Sequence, residues 1–220
     1  FSERKILDQL KELIKENNLS DKNARVRIQV SLSEKQGYSS GDDMPLISMI
    51  TATSIQERKE VQSLILAENS VVSTSARPTH LKLSNMLHYR NAYREAEQKG
   101  ADDAILLNHD GFVAETSIAN IFWKKDDVIY TPSDECDILP GIMRNSIIDI
   151  LRNRMQVPVK EGRFGVDELM EADSIWLTNS TVGFIPVLQI QDTSFKTKNE
   201  FLSELEKELP TYKEEYMTDV

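Results

Sequence analysis

The sequence has little cysteine, no long apolar run and few histidines, and each shortage excludes a class of protein. Cys136 is the single cysteine among 220 residues, so no internal disulfide can form, and a reducing cytoplasm is the expected compartment. No apolar run reaches the roughly 18 residues of a membrane span. His80, His88 and His109 lack the spacing of metal ligands, which predicts that no metal is bound.

Positive charge is also scarce. The 26 lysines and arginines face 36 aspartates and glutamates, which gives a formal net charge of −10. A protein of this charge repels a phosphate backbone, so nucleic-acid binding is not expected. With 40% hydrophobic residues, the chain can bury one large core or two modest ones.

Hydrophobic periodicity predicts an α+β fold in two domains. A small N-terminal domain would occupy residues 1–76, a linker residues 77–81 and a larger domain residues 82–220, because Pro78 discourages a continuous helix. The predicted elements are a helix over 3–19, strands over 24–33 and 46–54, one or two strands within 62–76, a helix over 81–100, strands over 103–108 and 119–125 joined by a turn at Asp110–Gly111, a strand over 127–132, helices over 143–155 and 166–172, and strands over 174–179 and 184–190.

Lys82 is the first candidate for chemistry. It follows the linker at the predicted start of a helix, among Leu81, Leu83 and Met86. A lysine in an apolar pocket becomes a nucleophilic amine that can form a Schiff base. A surface lysine with its stem on apolar neighbours is the ordinary explanation, and position alone leaves both open.

Glu115 is the second candidate, in the stretch AETSIANIFW (114–123). Its neighbours are typical of a protein core, whereas an ionised carboxylate is costly to bury without a partner. It is either an edge-strand carboxylate paired with a lysine, or a buried acid that holds a proton or a cation on a cofactor.

Two further segments have the composition of phosphate sites. In LPGIMR (139–144) a glycine precedes a helix, whose first backbone N–H groups are free to bind an anion. In LTNSTVG (177–183) the hydrogen-bonding residues Asn179, Ser180 and Thr181 follow a predicted strand. A simple helix start and ordinary turn chemistry explain each segment equally well.

The order of these segments is more specific than any one of them. A lysine, then AETSIAN, then GIMR, then TNST followed by IPV resembles the class IV aminotransferases. This family of pyridoxal-phosphate enzymes includes branched-chain and D-amino-acid aminotransferases and 4-amino-4-deoxychorismate lyase. The resemblance extends from the first helix to about residue 208, and it implies the two-domain fold-type IV architecture.

The resemblance implies a role for each candidate. Lys82 matches the Schiff-base lysine, and Glu115 matches the carboxylate that faces the pyridine nitrogen of pyridoxal 5'-phosphate. The backbone amides of Ile142 and Met143 match the phosphate-binding helix start. Ser180, with Asn179 and Thr181 beside it, matches the phosphate-binding hydroxyl. The site would need no metal.

The sequence also departs from the family pattern. Members carry, ahead of the first helix, an arginine that grips the cofactor phosphate. The sequence begins after that point, so we expect a preceding segment and assign that role to no residue here. Gln36 in KQGYSS stands where the lyase-like GRGYS pattern has arginine. Arg77, in the linker, is a candidate for holding a substrate carboxylate, and a linker salt bridge explains it equally well.

Two activities within the family fit the sequence. Met143 in place of the threonine of GITR, together with IANIFW and Asn179, favours 4-amino-4-deoxychorismate lyase, which forms 4-aminobenzoate and pyruvate for folate synthesis. A branched-chain or D-amino-acid transaminase is the alternative. The resemblance further implies a small amino substrate and a homodimer. A non-catalytic binding protein that keeps the fold is disfavoured, because Lys82 and Glu115 are both present.

Overall fold

The computed structural model describes residues 2–32, 46–55, 62–72, 78, 80–198 and 200–216. The chain divides into two compact units, a smaller one within residues 1–57 and a larger one within residues 58–218. Helices and strands occur in both units, which confirms the predicted α+β class.

The smaller unit contains one helix and an antiparallel strand pair among its described residues. Helix α1 (Glu3–Glu16) ends at a turn in which Asn18 has a positive φ of 54°, a conformation that asparagine tolerates well. The strands β1 (Ala24–Leu32) and β2 (Leu46–Ser54) pair in register from Ala24 opposite Ser54 to Leu32 opposite Leu46. The Asn17 side chain donates to the Ala52 carbonyl at 2.9 Å, which links α1 to β2.

The larger unit is built on a mixed sheet. Among the residues described, its strand order is β5-β4-β3-β10-β9-β6-β7-β8, and β11 pairs with β10. The bounds in chain order are β3 (Gln62–Val72), α2 (Leu87–Gln98), β4 (Asp103–Asn108), β5 (Val113–Thr116), β6 (Asn120–Lys125), β7 (Val128–Pro132), α3 (Ile142–Asp149) continued by a π-helical stretch (Ile150–Arg154), β8 (Val159–Gly162), α4 (Val166–Met170), β9 (Ser174–Asn179), β10 (Gly183–Ile190), β11 (Thr193–Ser194) and α5 (Glu200–Tyr216).

Central strands of this sheet are buried on both faces. In β6, Ile121 and Trp123 pack in one hydrophobic cluster, whereas Phe122 packs in a second cluster with α3 and α5. Trp176 of β9 stacks on Phe122 at a centroid distance of 5.7 Å. Burial on both faces explains why IFW (121–123) is continuously apolar rather than alternating. A third cluster joins α2 to β4.

The unit boundary differs from the predicted domain boundary because of β3. Residues 1–76 were expected to form the small domain, with a linker over 77–81. In the structure β3 runs parallel to both β4 and β10, so its residues lie inside the larger sheet. A strand's hydrophobic pattern indicates that it is buried but not which sheet it joins.

Two predicted elements also have different bounds. The helix expected over 81–100 begins at Leu87, because residues 81–86 form tight turns such as the bond from the Leu83 N–H to the Leu81 carbonyl. The Asp110–Gly111 turn leads into β5, a separate strand that precedes β6. Residues 117–119 therefore form a corner between β5 and β6, whereas the predicted strand began at residue 119 and no strand was predicted over 113–116.

Candidate functional site

Glu115 lies on β5 with only 4% of its surface exposed. Its Oε1 accepts a hydrogen bond from the Tyr89 hydroxyl on α2. Its Oε2 accepts from Nδ2 of Asn120 at 3.2 Å, and the Leu139 N–H lies 3.2 Å from both carboxylate oxygens. Donors from three separate segments therefore converge on one buried carboxylate. An ionised carboxylate suits this set, because it is purely an acceptor.

The corner between β5 and β6 holds Glu115 and Asn120 side by side. The Thr116 N–H donates to the Ala119 carbonyl at 2.8 Å. The Ser117 hydroxyl donates to Oδ1 of Asp103 at 2.5 Å, and the Ala104 N–H donates to the same oxygen at 2.8 Å. Asp103 is fully buried, and this burial raises the pKa of its carboxyl above the ordinary value of 3.8.

Helix α3 begins beside this corner. Gly141 caps it in an extended conformation (φ −66°, ψ 139°), and the Asn145 N–H donates to the Gly141 carbonyl at 3.0 Å. The preceding N–H groups, including those of Ile142 and Met143, are the ones that a helix leaves without an intrahelical acceptor. A Cβ atom at position 141 would overlap Oδ1 of Asn120, so this close approach requires glycine.

The Asn120 side chain joins the carboxylate to the helix start. In addition to its bond to Glu115, its Nδ2 donates to the Leu139 carbonyl at 2.8 Å. Met143 is buried in the core, whereas 80% of the Ile142 surface is exposed. Met143 therefore anchors the first turn of α3 in the core, and the same turn is accessible to solvent at Ile142.

The turn between β9 and β10 also reaches this corner. Oδ1 of Asn179 accepts from the backbone N–H groups of Thr181 at 3.0 Å and Val182 at 2.9 Å. Its Nδ2 donates to the Ile118 carbonyl at 3.3 Å. Asn179 therefore performs the ordinary turn role that was weighed for it, and it also ties the turn to the corner. Ser180 is exposed and Thr181 is half-buried.

Lys82 makes none of these contacts, and two other predicted site residues lie outside the described part of the chain. Lys82 is exposed in the irregular segment that precedes α2. Gln36 and Arg77 lie outside the described residues, so their predicted roles stay predictions. The contacts above do connect Glu115, the start of α3 and the Asn179 turn through the β5–β6 corner.

The structure adds Tyr89, Asn120 and Arg144 to the candidates. Arg144 has 2% exposure; its Nη2 donates to the Pro132 carbonyl at 2.7 Å and to Oε2 of Glu161 at 2.8 Å, which fixes α3 to β7 and β8. In the sequence Arg144 appeared only as the last letter of GIMR. No periodicity marks these three residues, because their partners lie in other segments of the chain.

The arrangement suits a ligand that carries both an anionic group and a cationic ring. A helix start with unpaired N–H groups and a positive dipole end favours a phosphate. The buried carboxylate can accept a hydrogen bond from a protonated ring nitrogen. The glycine at position 141 leaves the helix start open to such a group. These residues fit pyridoxal 5'-phosphate.

Known proteins are similar to this chain in sequence and in fold. The family model of amino-transferase class IV matches residues 1–190. An aminodeoxychorismate lyase of Bacillus subtilis (strain 168) is 32% identical over 204 residues, which cover 90% of this chain and 68% of the relative. A D-alanine aminotransferase of Listeria monocytogenes (strain 10403S) is 28% identical over 192 residues, which cover 86% of this chain and 66% of the relative. The chain thus spans about two thirds of the length of these curated relatives.

The fold is that of solved enzymes of this kind. The crystal structure of a branched-chain aminotransferase from Thermoproteus uzoniensis superposes with a TM-score of 0.84 at 24% identity and covers 97% of this chain and 71% of its own. At this identity the likeness shows the fold, and it confirms the predicted fold-type IV architecture. The sequence, the fold and the match over residues 1–190 agree: the chain belongs to the class IV aminotransferases, a family of pyridoxal-phosphate enzymes.

Proposed function

We propose that the protein binds pyridoxal 5'-phosphate and uses it to act on a small amino substrate, with 4-amino-4-deoxychorismate as the preferred substrate. The Glu115 cluster is the observation that carries this proposal. A buried carboxylate with donors from Tyr89, Asn120 and Leu139 is an arrangement that a surface ion pair would not need. When bound, the cofactor supplies a ring that accepts electrons from the substrate α-carbon.

Glu115 would orient the cofactor ring and would place a negative charge beside the ring nitrogen. As an ionised acceptor among buried groups, it favours a proton on the ring nitrogen that faces it. Water is excluded from this carboxylate because its surface is 4% exposed, and the low local dielectric strengthens the interaction.

The phosphate side of the site is built from backbone and hydroxyl donors. The N–H groups of Ile142 and Met143 would bind the phosphate together with the helix dipole. The exposed Ser180 hydroxyl and Thr181 would bind it from the β9–β10 turn, while Asn179 holds that turn in shape. No metal is needed for this binding mode.

Lys82 would supply the amine. It would hold the cofactor covalently before the substrate arrives, and its Nζ would then take the proton from the substrate α-carbon. Arg77 and Gln36 are proposed for the substrate side. A homodimer and a cytoplasmic location also belong to the proposal. Among the residues described, no helix is both long and apolar enough to cross a membrane.

Lyase and transaminase differ in what they release. The lyase forms 4-aminobenzoate and pyruvate from one substrate, whereas the transaminase passes the amino group to a keto acid. The aminodeoxychorismate lyase of Bacillus subtilis is 32% identical to this chain, and the D-alanine aminotransferase is 28% identical. Met143 and the IANIFW stretch favour the lyase. The transaminase is the second candidate, because Gln36 replaces the arginine of the lyase-like pattern.

One assay separates the two activities. Purified protein loaded with pyridoxal 5'-phosphate is given 4-amino-4-deoxychorismate without any keto acid, and pyruvate and 4-aminobenzoate are measured. The lyase proposal predicts both products in equal amounts without an acceptor. Product formation only after a keto acid is added would contradict the lyase and support the transaminase.

A further inference from the structure

Tyr89 is a residue that neither the sequence motifs nor the family roles assigned. It lies on α2 with 5% of its surface exposed, and its hydroxyl donates to Oε1 of Glu115. The ring packs in the cluster that joins α2 to β4. Phenylalanine would fill the same space, so packing alone does not require a hydroxyl here.

We propose that Tyr89 is a positioning residue for the proton that Glu115 shares with the ring nitrogen of the cofactor. The Tyr89 hydroxyl keeps this proton on the nitrogen rather than on the carboxylate. This inference rests on the proposed function, in which Glu115 faces that nitrogen. A hydrogen bond from the phenol to the carboxylate stabilises its charged form. A carboxylate that is stabilised in this way competes less strongly for the shared proton.

Two further donors among the described residues contact Glu115 differently from Tyr89. The Leu139 N–H is divided between both oxygens at 3.2 Å, and the Asn120 amide donates to Oε2. The phenol hydroxyl donates to Oε1. Hydrogen bonds to charged groups are the stronger ones, so loss of this hydroxyl changes the carboxylate more than loss of a neutral bond would.

Tyr89 also connects two parts of the proposed site. It lies on the helix that directly follows the segment of Lys82, and it contacts the carboxylate on β5. The bond therefore fixes α2 relative to Glu115, so that one hydroxyl affects both the orientation and the charge of the carboxylate.

The test uses cofactor-loaded protein with pyridoxal 5'-phosphate labelled with ¹⁵N in the ring. Tyr89→Phe removes only the hydroxyl, and Tyr93→Phe is the matched control, because Tyr93 lies on the same helix with 38% of its surface exposed. In Tyr89→Phe we expect the ring ¹⁵N resonance to move toward that of a neutral pyridine, and kcat to fall about tenfold or more while KM changes less than about threefold. Tyr93→Phe should match the unmodified protein in both measurements.

Circular dichroism would show whether Tyr89→Phe folds. If it folds poorly, a second variant can still test the role of Tyr89. Replacement of Tyr89 alone by 3-fluorotyrosine makes the phenol a stronger donor, and the ¹⁵N resonance should then move further toward that of a protonated ring. Protonated rings with identical resonances in all of these proteins would overturn the role of Tyr89 and leave the proposed function intact. A neutral ring in the unmodified protein would instead contradict the placement of Glu115.

Discussion

At the scale of single residues, Glu115 shows how a carboxylate can lie among core side chains. Its neighbours Ala114 and Thr116 are buried, and its oxygens accept from Tyr89, Asn120 and Leu139. The sequence identified Glu115 as out of place in an apolar stretch. It could not reveal the donors, because a hydrogen bond between segments leaves no periodic trace in the sequence.

Replacement of Glu115 by glutamine should separate cofactor binding from turnover. Glutamine has the same shape but no charge, so under the proposed placement of the cofactor its ring nitrogen would lose a counter-charge, while the proposed phosphate donors on α3 would remain. We expect kcat to fall by about 10²-fold or more, with pyridoxal 5'-phosphate still bound in an equilibrium dialysis experiment. Glu97→Gln, at an exposed position of α2, is the control. Turnover within threefold of the unmodified protein would contradict the role of Glu115.

Asp103 provides a second test at this scale, on stability. Because burial raises the pKa of its carboxyl, the folded state binds a proton more tightly than the unfolded state does. Its contribution to stability is therefore fully present below the ordinary value of 3.8 and is lost as the pH rises through the folded-state pKa. Asp103→Asn resembles the protonated form and keeps an acceptor for Ser117.

We therefore expect Asp103→Asn to unfold at a higher urea concentration than the unmodified protein at pH 7. The advantage should shrink as the pH is lowered toward 4. An advantage that grows on acidification would show that the carboxylate is stabilised in the folded protein, contrary to the effect of its burial.

At the scale of elements, the corner at residues 117–119 explains both the success and the limit of the sequence prediction. Strands β4 and β9 occur as predicted over 103–108 and 174–179, because each is a short apolar run with clear ends. The sequence did not predict the corner, because residues 117–119 contain neither glycine nor proline, the residues that most often mark a turn. Its shape depends on Asp103, which lies far away in the sequence and accepts from Ser117.

The start of α3 can be tested with a pair of glycines. Gly141 and Gly165 both cap helices with extended backbones, so alanine costs each a similar amount of capping energy. At Gly141 a methyl group would overlap Asn120, whereas at Gly165 the nearest atom is 3.9 Å away. We expect Gly141→Ala to destabilise the protein by about 1–3 kcal/mol and to weaken cofactor binding.

Urea unfolding and equilibrium dialysis with pyridoxal 5'-phosphate measure the two effects. Gly165→Ala should change the free energy of unfolding by no more than about 0.5–1 kcal/mol and leave binding unchanged. Equal effects of the two substitutions would show that the contact with Asn120 is unimportant.

At the scale of the whole molecule, local sequence does not show which sheet β3 joins. Strand β3 is followed by the predicted linker, yet it belongs to the larger sheet through β4 and β10. Pairing between distant strands depends on the assembled sheet, and local composition does not encode it. The predicted class and family were correct because they depend on the order of many short segments.

Stability of the larger unit should depend on the hydrophobic cluster that contains Ile121 and Trp123. Ile105 is fully buried there, so Ile105→Ala should lower the free energy of unfolding by about 2–5 kcal/mol. Trp123 and Trp176, the two tryptophans of the sequence, are both buried in this unit, so their fluorescence in urea reports on it. Ile28→Ala, at a position 45% exposed in the smaller unit, should shift this transition by less than about 0.5 kcal/mol. Equal changes in the free energy of unfolding for Ile105→Ala and Ile28→Ala would contradict the assignment of Ile105 to the core.

We propose above that this protein holds pyridoxal 5'-phosphate covalently on Lys82, with Glu115 facing the ring. Borohydride reduction of the loaded protein, followed by peptide mapping with mass spectrometry, tests this proposal. We expect loss of the visible absorption band, a phosphopyridoxyl group on the peptide that contains Lys82, and no such adduct in Lys82→Ala. A full-strength adduct in Lys82→Ala, or a label on another lysine, would contradict it.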